Sequence, residues 1–319
     1  MIHSSRPSLD IIIVNWNSGD QLRRCLASIA KADQGSFDLN RVCVVDNASG
    51  DNSLGDMEKC DLPIQVIRNG INRGFAAACN QGAANSDTDY LLFLNPDTRL
   101  NADSLTKPLA FMQNAIARNI GVVGIQLVDD SGEISRSCAR FPTLGLFFSK
   151  ALGLDRMFPR YFPGNFILEW DHRKSKEVDH VMGAFFLVRR SLFESLNGFD
   201  ERFFVYFEDL DFSFRAYQAG WKDFYLAEAR VYHKGGGASA QVKSTRLFYS
   251  LRSRILYGYK HFGPGGATGL ALGTLLLEPL TRLVWATARR SGSEAIETAR
   301  GYLLLWKSAP ILLTRHGRR

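Results

Sequence analysis

Cysteine is scarce in this chain and poorly spaced for joint work. The five cysteines, Cys25, Cys43, Cys60, Cys79 and Cys138, form an odd set with no Cys-x-x-Cys pair, which argues against a zinc ribbon or a disulfide framework and for a reducing, cytoplasmic setting. Glycine is missing where phosphate-binding loops need it. Neither G-x-G-x-x-G nor a P-loop occurs in the first strands, so a dinucleotide-dependent oxidoreductase has no fingerprint here. The opening residues MIHSSRPSLD lack the charged start and long apolar core of a signal peptide, and IIIV is too short to be one. No zinc finger, RNP-type segment, internal repeat or low-complexity tract is evident. The aromatics fall in apolar runs and are not interleaved with Lys and Arg, so no nucleic-acid partner is expected.

What is present describes an ordinary globular protein: 319 residues, 45% hydrophobic and 22% charged, enough for one large domain with an appendage or for two domains. Lys plus Arg number 39 against 32 for Asp plus Glu, giving a net charge of +7 and a general attraction to anions. Much of the excess sits late, in KSTRLFYSLRSRILYGYKH and LTRHGRR, which favours a peripheral anionic surface.

Short apolar runs alternate with helical patterns. LDIIIVN, RVCVVD, IQVIR and DYLLFLN read as strands, with GDQLRRCLASIA and GFAAACNQGAA as helices between them. Apolar runs without polar alternation belong to strands covered on both faces, so the fold class is α/β with a mostly parallel sheet, and ligands bind beyond the carboxyl ends of its strands. Further on, SLTKPLAFMQNAIAR reads as a helix, GVVGIQLV and HVMGAFFLVRR as strands, EDLDFSFRAYQAG as a helix and DFYLAEARVYH as a strand. Residues 130 to 180 read as a long loop region able to shape a second site.

Three strand ends carry polar residues: Asn15-Trp16-Asn17, Asp46-Asn47-Ala48-Ser49 and Asn95-Pro96-Asp97. The last group also suits a plain turn. With no glycine cradle, a phosphate held through a divalent cation is the better hypothesis. Mg²⁺ or Mn²⁺ takes one or two carboxylates plus the substrate's own phosphate oxygens. Asp97 offers a carboxylate, and His233, closing RVYH, offers an imidazole more natural to Mn²⁺ unless it is merely structural. Glu208, Asp209 and Asp211 cluster at a helix start, where the helix dipole alone can explain them. Asp211 and Arg215 are spaced to pair, while Leu210, Phe214 and Tyr217 form the expected inward stripe. Asp209 has no such partner in sequence, so it is best placed to act as general base.

Between Leu270 and Trp285, Leu272, Leu276, Leu280, Leu283 and Val284 recur at helical spacing, with Thr274, Glu278, Thr281 and Arg282 opposite. Glu278, Pro279 and Arg282 interrupt the ~20 apolar residues a spanning helix needs. Two readings stand: a helix in the membrane interface, ending in Arg289 and Arg290, or one packed on the catalytic domain or in a homodimer contact. Arg252, Arg254 and Lys260 are either phosphate contacts or a solvated basic helix face.

The segments IIIVNWNSGDQLRRCLASI, VVDNASGDNS, NRGFAAACNQGA, LLFLNPDTRL, VMGAFFLVRRSLFESLNGFDERFFVYFEDLDFSFRAYQAG and RVYHKGGGAS together resemble the inverting family 2 glycosyltransferases of GT-A fold, a Rossmann-like nucleotide-diphospho-sugar transferase architecture, in their bacterial rhamnosyltransferase-like branch. The resemblance implies a catalytic domain over residues 1–240, with a nucleotide-binding half (1–103) and an acceptor half (104–240), followed by a basic amphipathic region (241–319). It also implies sugar transfer from a nucleotide-diphosphate donor to an acceptor hydroxyl, a glycan or lipid-diphosphate-linked saccharide. L-rhamnose from dTDP-rhamnose is the favoured donor, and a UDP-hexose or a non-catalytic sugar-nucleotide-binding role are the alternatives. By the same resemblance Asp46 binds the base, and Asn72, Arg73, Gly74, Phe75 and Asn80, with the strand-end residues Asn15, Asn17 and Asn95, line the nucleotide side. Asp97 and His233 ligate the metal, and Asp209 of the Glu208-Asp209 pair is the base. Relatives often carry Asp-x-Asp where this chain has Asn95-Pro96-Asp97, leaving one carboxylate for the metal.

Overall fold

Strand β1 (Ser8–Asn15) carries the apolar run Ile11–Val14 because both of its faces are covered, and Leu9, Ile11, Ile12 and Ile13 are all buried. The same reasoning accounts for the apolar runs of β2 (Asp38–Asp46) and, after β3 (Ile64–Arg68), of β4 (Tyr90–Leu94). A computed structural model describes residues 6–55, 57, 60–235 and 243–315. The glycine-rich end of RVYHKGGGAS and the terminal His316, Arg318 and Arg319 lie outside the described residues.

Helices α1 (Asp20–Lys31) and α2 (Phe75–Ala83) cover the first strands. Gly82 lets α2 approach the sheet: a Cβ there would stand 2.6 Å from the Ile12 side chain. After β4 come β5 (Thr98–Leu100), α3 (Thr106–Gln113), β6 (Ile120–Val128), β7 (Cys138–Ala139), α4 (Leu144–Ala151), α5 (Leu154–Met157), β8 (Lys176–Val178), β9 (His180–Val181), β10 (Phe185–Arg189), α6 (Arg190–Ser195), α7 (Glu208–Gln218) and β11 (Lys222–His233). The main sheet runs β3-β2-β1-β4-β10-β6-β11-β5, with β8 also on β11. Its first four strands are parallel, β10 is antiparallel to both neighbours, and β11 is parallel to β6. Chain order reverses direction at β1 and β4, the place where such sheets open a crevice at their carboxyl ends.

Four sequence readings change. The helix expected over SLTKPLAFMQNAIAR stops at Gln113, because Asn114 turns extended and its side chain accepts from the Ile116 N–H to start a short 3₁₀ turn. The single strand expected over HVMGAFFLVRR is two: β9 pairs with β7 in a small separate sheet, β10 enters the main sheet, and Met182-Gly183-Ala184 form the break. Residues 130 to 180 contain β7, α4, α5 and β8 in place of one long loop. The inward face of α7 is Leu210, Phe212, Ser213 and Ala216, while Tyr217 is exposed.

The chain divides into two compact units. The first (Met1–Arg140, Leu168–Glu201 and Glu208–Ala238) contains both sheets. The second joins Phe141–Ile167 and Arg202–Phe207 to Ser239–Arg319, and is built from α4, α5, α8 (Lys243–His261), α9 (Pro264–Leu272), α10 (Glu278–Ala288) and α11 (Gly292–Arg315). A π turn at Gly273–Leu277 makes α9 and α10 continuous, and it directly precedes Pro279, whose missing N–H a regular α-helix would leave as a gap. The helix Pro264–Ala288 is long and apolar enough to cross a membrane by length and composition, although 44% of its most apolar window is buried inside the protein.

This helix buries its polar side. Glu278 is 1% exposed and Thr274 0%, whereas Leu276, Leu280 and Val284 are 60%, 61% and 66% exposed. Glu278 takes Arg254 Nη1 at 2.5 Å and Arg282 Nη2 at 2.8 Å, so two guanidinium groups satisfy the buried carboxylate. Among the described residues every exposed large hydrophobic except Ile71, Ile116, Leu168 and Tyr217 belongs to the second unit.

Candidate active site at the carboxyl edge of the sheet

Parallel pairing sets Asn15, the last residue of β1, opposite Asp46, the last of β2. Asn15 is fully buried. Its Nδ2 donates to Asp46 Oδ1 (2.8 Å), Ser53 Oγ (2.8 Å) and Ser49 Oγ (3.0 Å), and its Oδ1 accepts from Ser18. In this structure the Asn15 amide holds Asp46 and the following loop. Asn17 sits in the left-handed region (φ 50°) and accepts from the Gly50 N–H at 2.7 Å, pinning the same loop.

Asn47, passed over as a site residue in the sequence, is the second buried hub. Its Nδ2 donates to Asn72 Oδ1 (2.9 Å) and the Gly74 carbonyl (3.1 Å), while its Oδ1 accepts from the Arg73 N–H (3.0 Å). The Asn72-Arg73-Gly74 bend is thus tied to the end of β2, and Gly74, at φ 89°, opens α2 with Phe75 half-buried behind it. Asn80 is engaged in a similar way. Its amide donates to the Phe199 carbonyl (2.8 Å) and accepts from the Phe199 N–H (2.9 Å), fixing α2 to the segment after α6. An Asn inside a helical stripe gave no sequence signal of that distant partner.

Asn95-Pro96-Asp97 is a turn, as its composition suggests, and it also presents a carboxylate. The Thr98 N–H and hydroxyl both donate to the Asn95 carbonyl (3.2 and 2.7 Å). β11 pairs with β5 so that His233 lies opposite Thr98, which brings His233 Nε2 to 3.4 Å from Asp97 Oδ1. No group of three or more His, Cys, Asp or Glu able to hold a metal occurs among the described residues. One carboxylate and one imidazole fit a Mg²⁺ or Mn²⁺ ion that draws its remaining ligands from a diphosphate and water.

The break at Gly183 brings the Glu208-Asp209 pair to this edge. The Asn95 N–H donates to the Ala184 carbonyl (3.0 Å), and the Gly183 N–H donates to Asp209 Oδ2 (2.9 Å). A Cβ on residue 183 would stand 2.9 Å from that same oxygen, so any other residue there would push the Asp209 carboxylate from this position. Asp209 Oδ1 accepts from the Leu210 N–H at 2.8 Å, and His180 Nε2 lies 3.6 Å from Oδ2. Burial opposes ionisation of Asp209, but His180 and these backbone donors hold its carboxyl below the usual range. Glu208 takes the opposite course. Burial, then the neighbouring Asp209, push its carboxyl well up, and its Oε2 is buried without a hydrogen-bond partner. Adjacent carboxyls with divergent ionisation mark distinct roles: Asp209, still 19% exposed at its side chain, is the ionised member. Tyr206 and Phe207 precede the pair in the left-handed region (φ 67° and 73°), a costly conformation of the kind found at functional sites.

In the second unit Arg254 is committed to Glu278: its Nη1 and Nη2 both bond that carboxylate, and its side chain is buried. Arg252 donates to the Arg202 carbonyl (2.9 Å), and the Lys260 amine lies 5.8 Å from the Phe203 ring centre.

Comparison with known proteins follows the same lines. The family model for glycosyl transferase family 2 matches residues 10–196, more than half of the chain, and the chain belongs to that family. It is a glycosyltransferase. The N-acetylglucosaminyl-diphospho-decaprenol L-rhamnosyltransferase of Mycobacterium tuberculosis is 26% identical over 267 residues, 78% of this chain and 83% of that protein. The rhamnosyltransferase WbbL of Escherichia coli is 29% identical over 175 residues, 54% of this chain and 62% of that one. Among solved structures, the Pyrobaculum calidifontis mannosyltransferase PcManGT in complex with GDP-Man and Mn²⁺ superposes with a TM-score of 0.56 at 16% identity, covering 98% of this chain and 88% of that chain. S. aureus TarS 1-349 in complex with UDP-GlcNAc gives 0.54 at 15% identity, covering 95% and 92%. The fold is the GT-A fold. Glu208 and Asp209 lie beyond the matched residues, so their assignment rests on geometry.

Proposed function

We propose that this enzyme transfers a sugar, with inversion, from a nucleoside-diphosphate sugar to an acceptor hydroxyl, with Asp209 as general base. The donor is dTDP-L-rhamnose and the acceptor a lipid-diphosphate-linked saccharide. One observation carries the reading: hydrogen bonds through Asn95, Ala184 and Gly183 join the Asp97 turn and the Asp209 carboxylate at one sheet edge. The rhamnosyl donor and the lipid-linked acceptor are supported by the two rhamnosyltransferase relatives, one of which names a diphospho-decaprenol acceptor. Asp46, with Arg73, Gly74 and Phe75 beyond it, receives the nucleoside. Asp97 and His233 hold the divalent cation, which when bound offsets the charge of the leaving diphosphate. Asp209 accepts the proton of the attacking hydroxyl, and the Gly183 N–H keeps its Oδ2 aimed.

The test is nucleoside diphosphate release from dTDP-rhamnose, UDP-hexoses and GDP-mannose, with Mn²⁺ or Mg²⁺, with and without a lipid-diphosphate-GlcNAc acceptor. Acceptor-dependent release from dTDP-rhamnose is expected. Asp97→Ala should lower it by about a hundredfold or more, since the cation loses its carboxylate. Release from a UDP-hexose alone would overturn the donor, and calorimetric donor binding without turnover on any acceptor would overturn transfer.

The exposed apolar face of the Pro264–Ala288 helix lies on the membrane surface where such an acceptor resides. Its buried Glu278 leaves no need for a protein partner on the polar side, and Arg289 and Arg290 suit anionic headgroups. Leu276→Asp with Leu280→Asp should abolish co-sedimentation with anionic vesicles while leaving transfer to a water-soluble acceptor analogue within about twofold, because exposed side chains bear little of the folding energy. Undiminished co-sedimentation would place the contact elsewhere.

A further inference from the structure

Asp209 and Ser213 stand one turn apart on α7, and one imidazole touches both. His180 Nε2 is 3.6 Å from Asp209 Oδ2, and His180 Nδ1 is 3.1 Å from Ser213 Oγ. Ser213 Oγ is in turn 2.6 Å from Asp223 Oδ2. His180, Ser213 and Asp223 are all buried, and they come from β9, α7 and β11, so the chain of contacts crosses three elements. Nothing in the reaction outlined above uses them.

We propose that His180, braced by Ser213 and Asp223, is the positioning residue of the base, keeping an N–H aimed at Asp209 Oδ2 so that the carboxylate stays ionised and oriented while it awaits the acceptor proton. The proposal rests on Asp209 being the base.

Hydrogen-bond logic carries it. The Ser213 hydroxyl has one proton to give. If Asp223 is ionised, Ser213 donates to it and accepts from Nδ1–H. If Asp223 is protonated, it donates to Ser213, which donates to Nδ1, and the neutral ring carries its proton on Nε2. Burial pushes the Asp223 carboxyl up to about 7, which favours the second arrangement, the one that presents N–H to Asp209. At 3.6 Å the contact is longer than a hydrogen bond. Catalytic contacts of this length commonly tighten once substrate is bound.

The other charged neighbours do not replace His180. Glu208, on the same helix, is the carboxyl pushed well up, and Asp211 is held by Arg215 at 2.8 Å. Cys79, from α2, has its thiol pushed well up by burial, then by Glu208 and Asp209. Among the charged groups that bear on Asp209, His180 is the one that favours its ionised form.

The experiment compares the full-length enzyme with His180→Gln, Ser213→Ala and Asp209→Asn, following kcat, donor KM and the pH dependence of kcat/KM, with thermal melting as the check on folding. In His180→Gln, kcat should fall by about tenfold or more with donor KM within about twofold, and the acid limb should move to higher pH because Asp209 protonates more readily. Ser213→Ala should move the limb the same way by less. A structural role alone would lower the melting temperature without moving the acid limb. Wild-type kcat and an unmoved acid limb in both folded variants, with Asp209→Asn inactive, would overturn the proposal and leave the base assignment standing. Full activity in Asp209→Asn would overturn the base assignment itself. Should His180→Gln fail to fold, the acid limb of Ser213→Ala decides.

Discussion

Asp209→Asn is expected to reduce kcat by about a thousandfold or more, a loss of about 4 kcal/mol of transition-state stabilisation, with donor KM nearly unchanged. Asparagine is isosteric and its carbonyl oxygen can still accept from the Gly183 N–H, which lies 2.9 Å from Oδ2 in the wild type. The site geometry therefore survives while the proton acceptor is lost. Glu208→Gln supplies the contrast. Glu208 is the carboxyl whose ionised form burial and Asp209 disfavour, so its amide counterpart disturbs the charge of the site less. Less than about a tenfold change is expected there. Steady-state kinetics on both variants at saturating acceptor checks the assignment, and the reverse ranking would make Glu208 the base.

The sequence displayed the sheet well because strands covered on both faces must be apolar throughout. It displayed Asp46 and Asp97 because polar residues closing such strands are conspicuous. It did not separate residues that meet a ligand from those that hold the edge together. Asn15, Asn17, Asn72 and Asn80 looked alike, and the fold shows each holding the edge: Asn15 on Asp46 and Ser53, Asn17 on the Gly50 N–H, Asn72 on Asn47 and Asn80 on Phe199. Asn47 was hidden for the same reason, since a buried hub takes its meaning from partners more than twenty residues away. Gly183 was lost inside an apolar run, although a glycine interrupting VMGAFFLV was a legible hint of a break or of a close approach. For Asp209, spacing within its own helix could not reveal His180, which reaches it from another strand. Periodicity located the stripe on the Pro264–Ala288 helix but could not say which side faces inward, because that depends on Arg254, a cation supplied from α8.

Glu278→Ala is expected to cost about 3–5 kcal/mol of stability at pH 7, since it leaves Arg254 buried with no carboxylate. Burial works against the charged form of Glu278, but Arg254 and Arg282 outweigh it and bring its carboxyl from 4.5 down to about 2. A depressed folded-state value gives stability that is complete above pH 4.5 and lost as pH falls toward 2, about 3 kcal/mol in all. Urea unfolding of wild type and variant across that window should therefore show the gap between them closing with acidification. A gap independent of pH would mean that the side chain acts by packing and not by charge. Replacing both partners, Glu278→Leu with Arg254→Met, should recover most of the stability, because apolar side chains of similar size incur no desolvation penalty. Membrane affinity offers a second readout of the same pair. The ion pair holds the polar side of the helix inward and so turns Leu276, Leu280 and Val284 to the outside, and the double replacement should keep that face exposed. Vesicle binding should then survive the double replacement and weaken in Glu278→Ala, where the unpaired Arg254 draws water or anions into the helix packing.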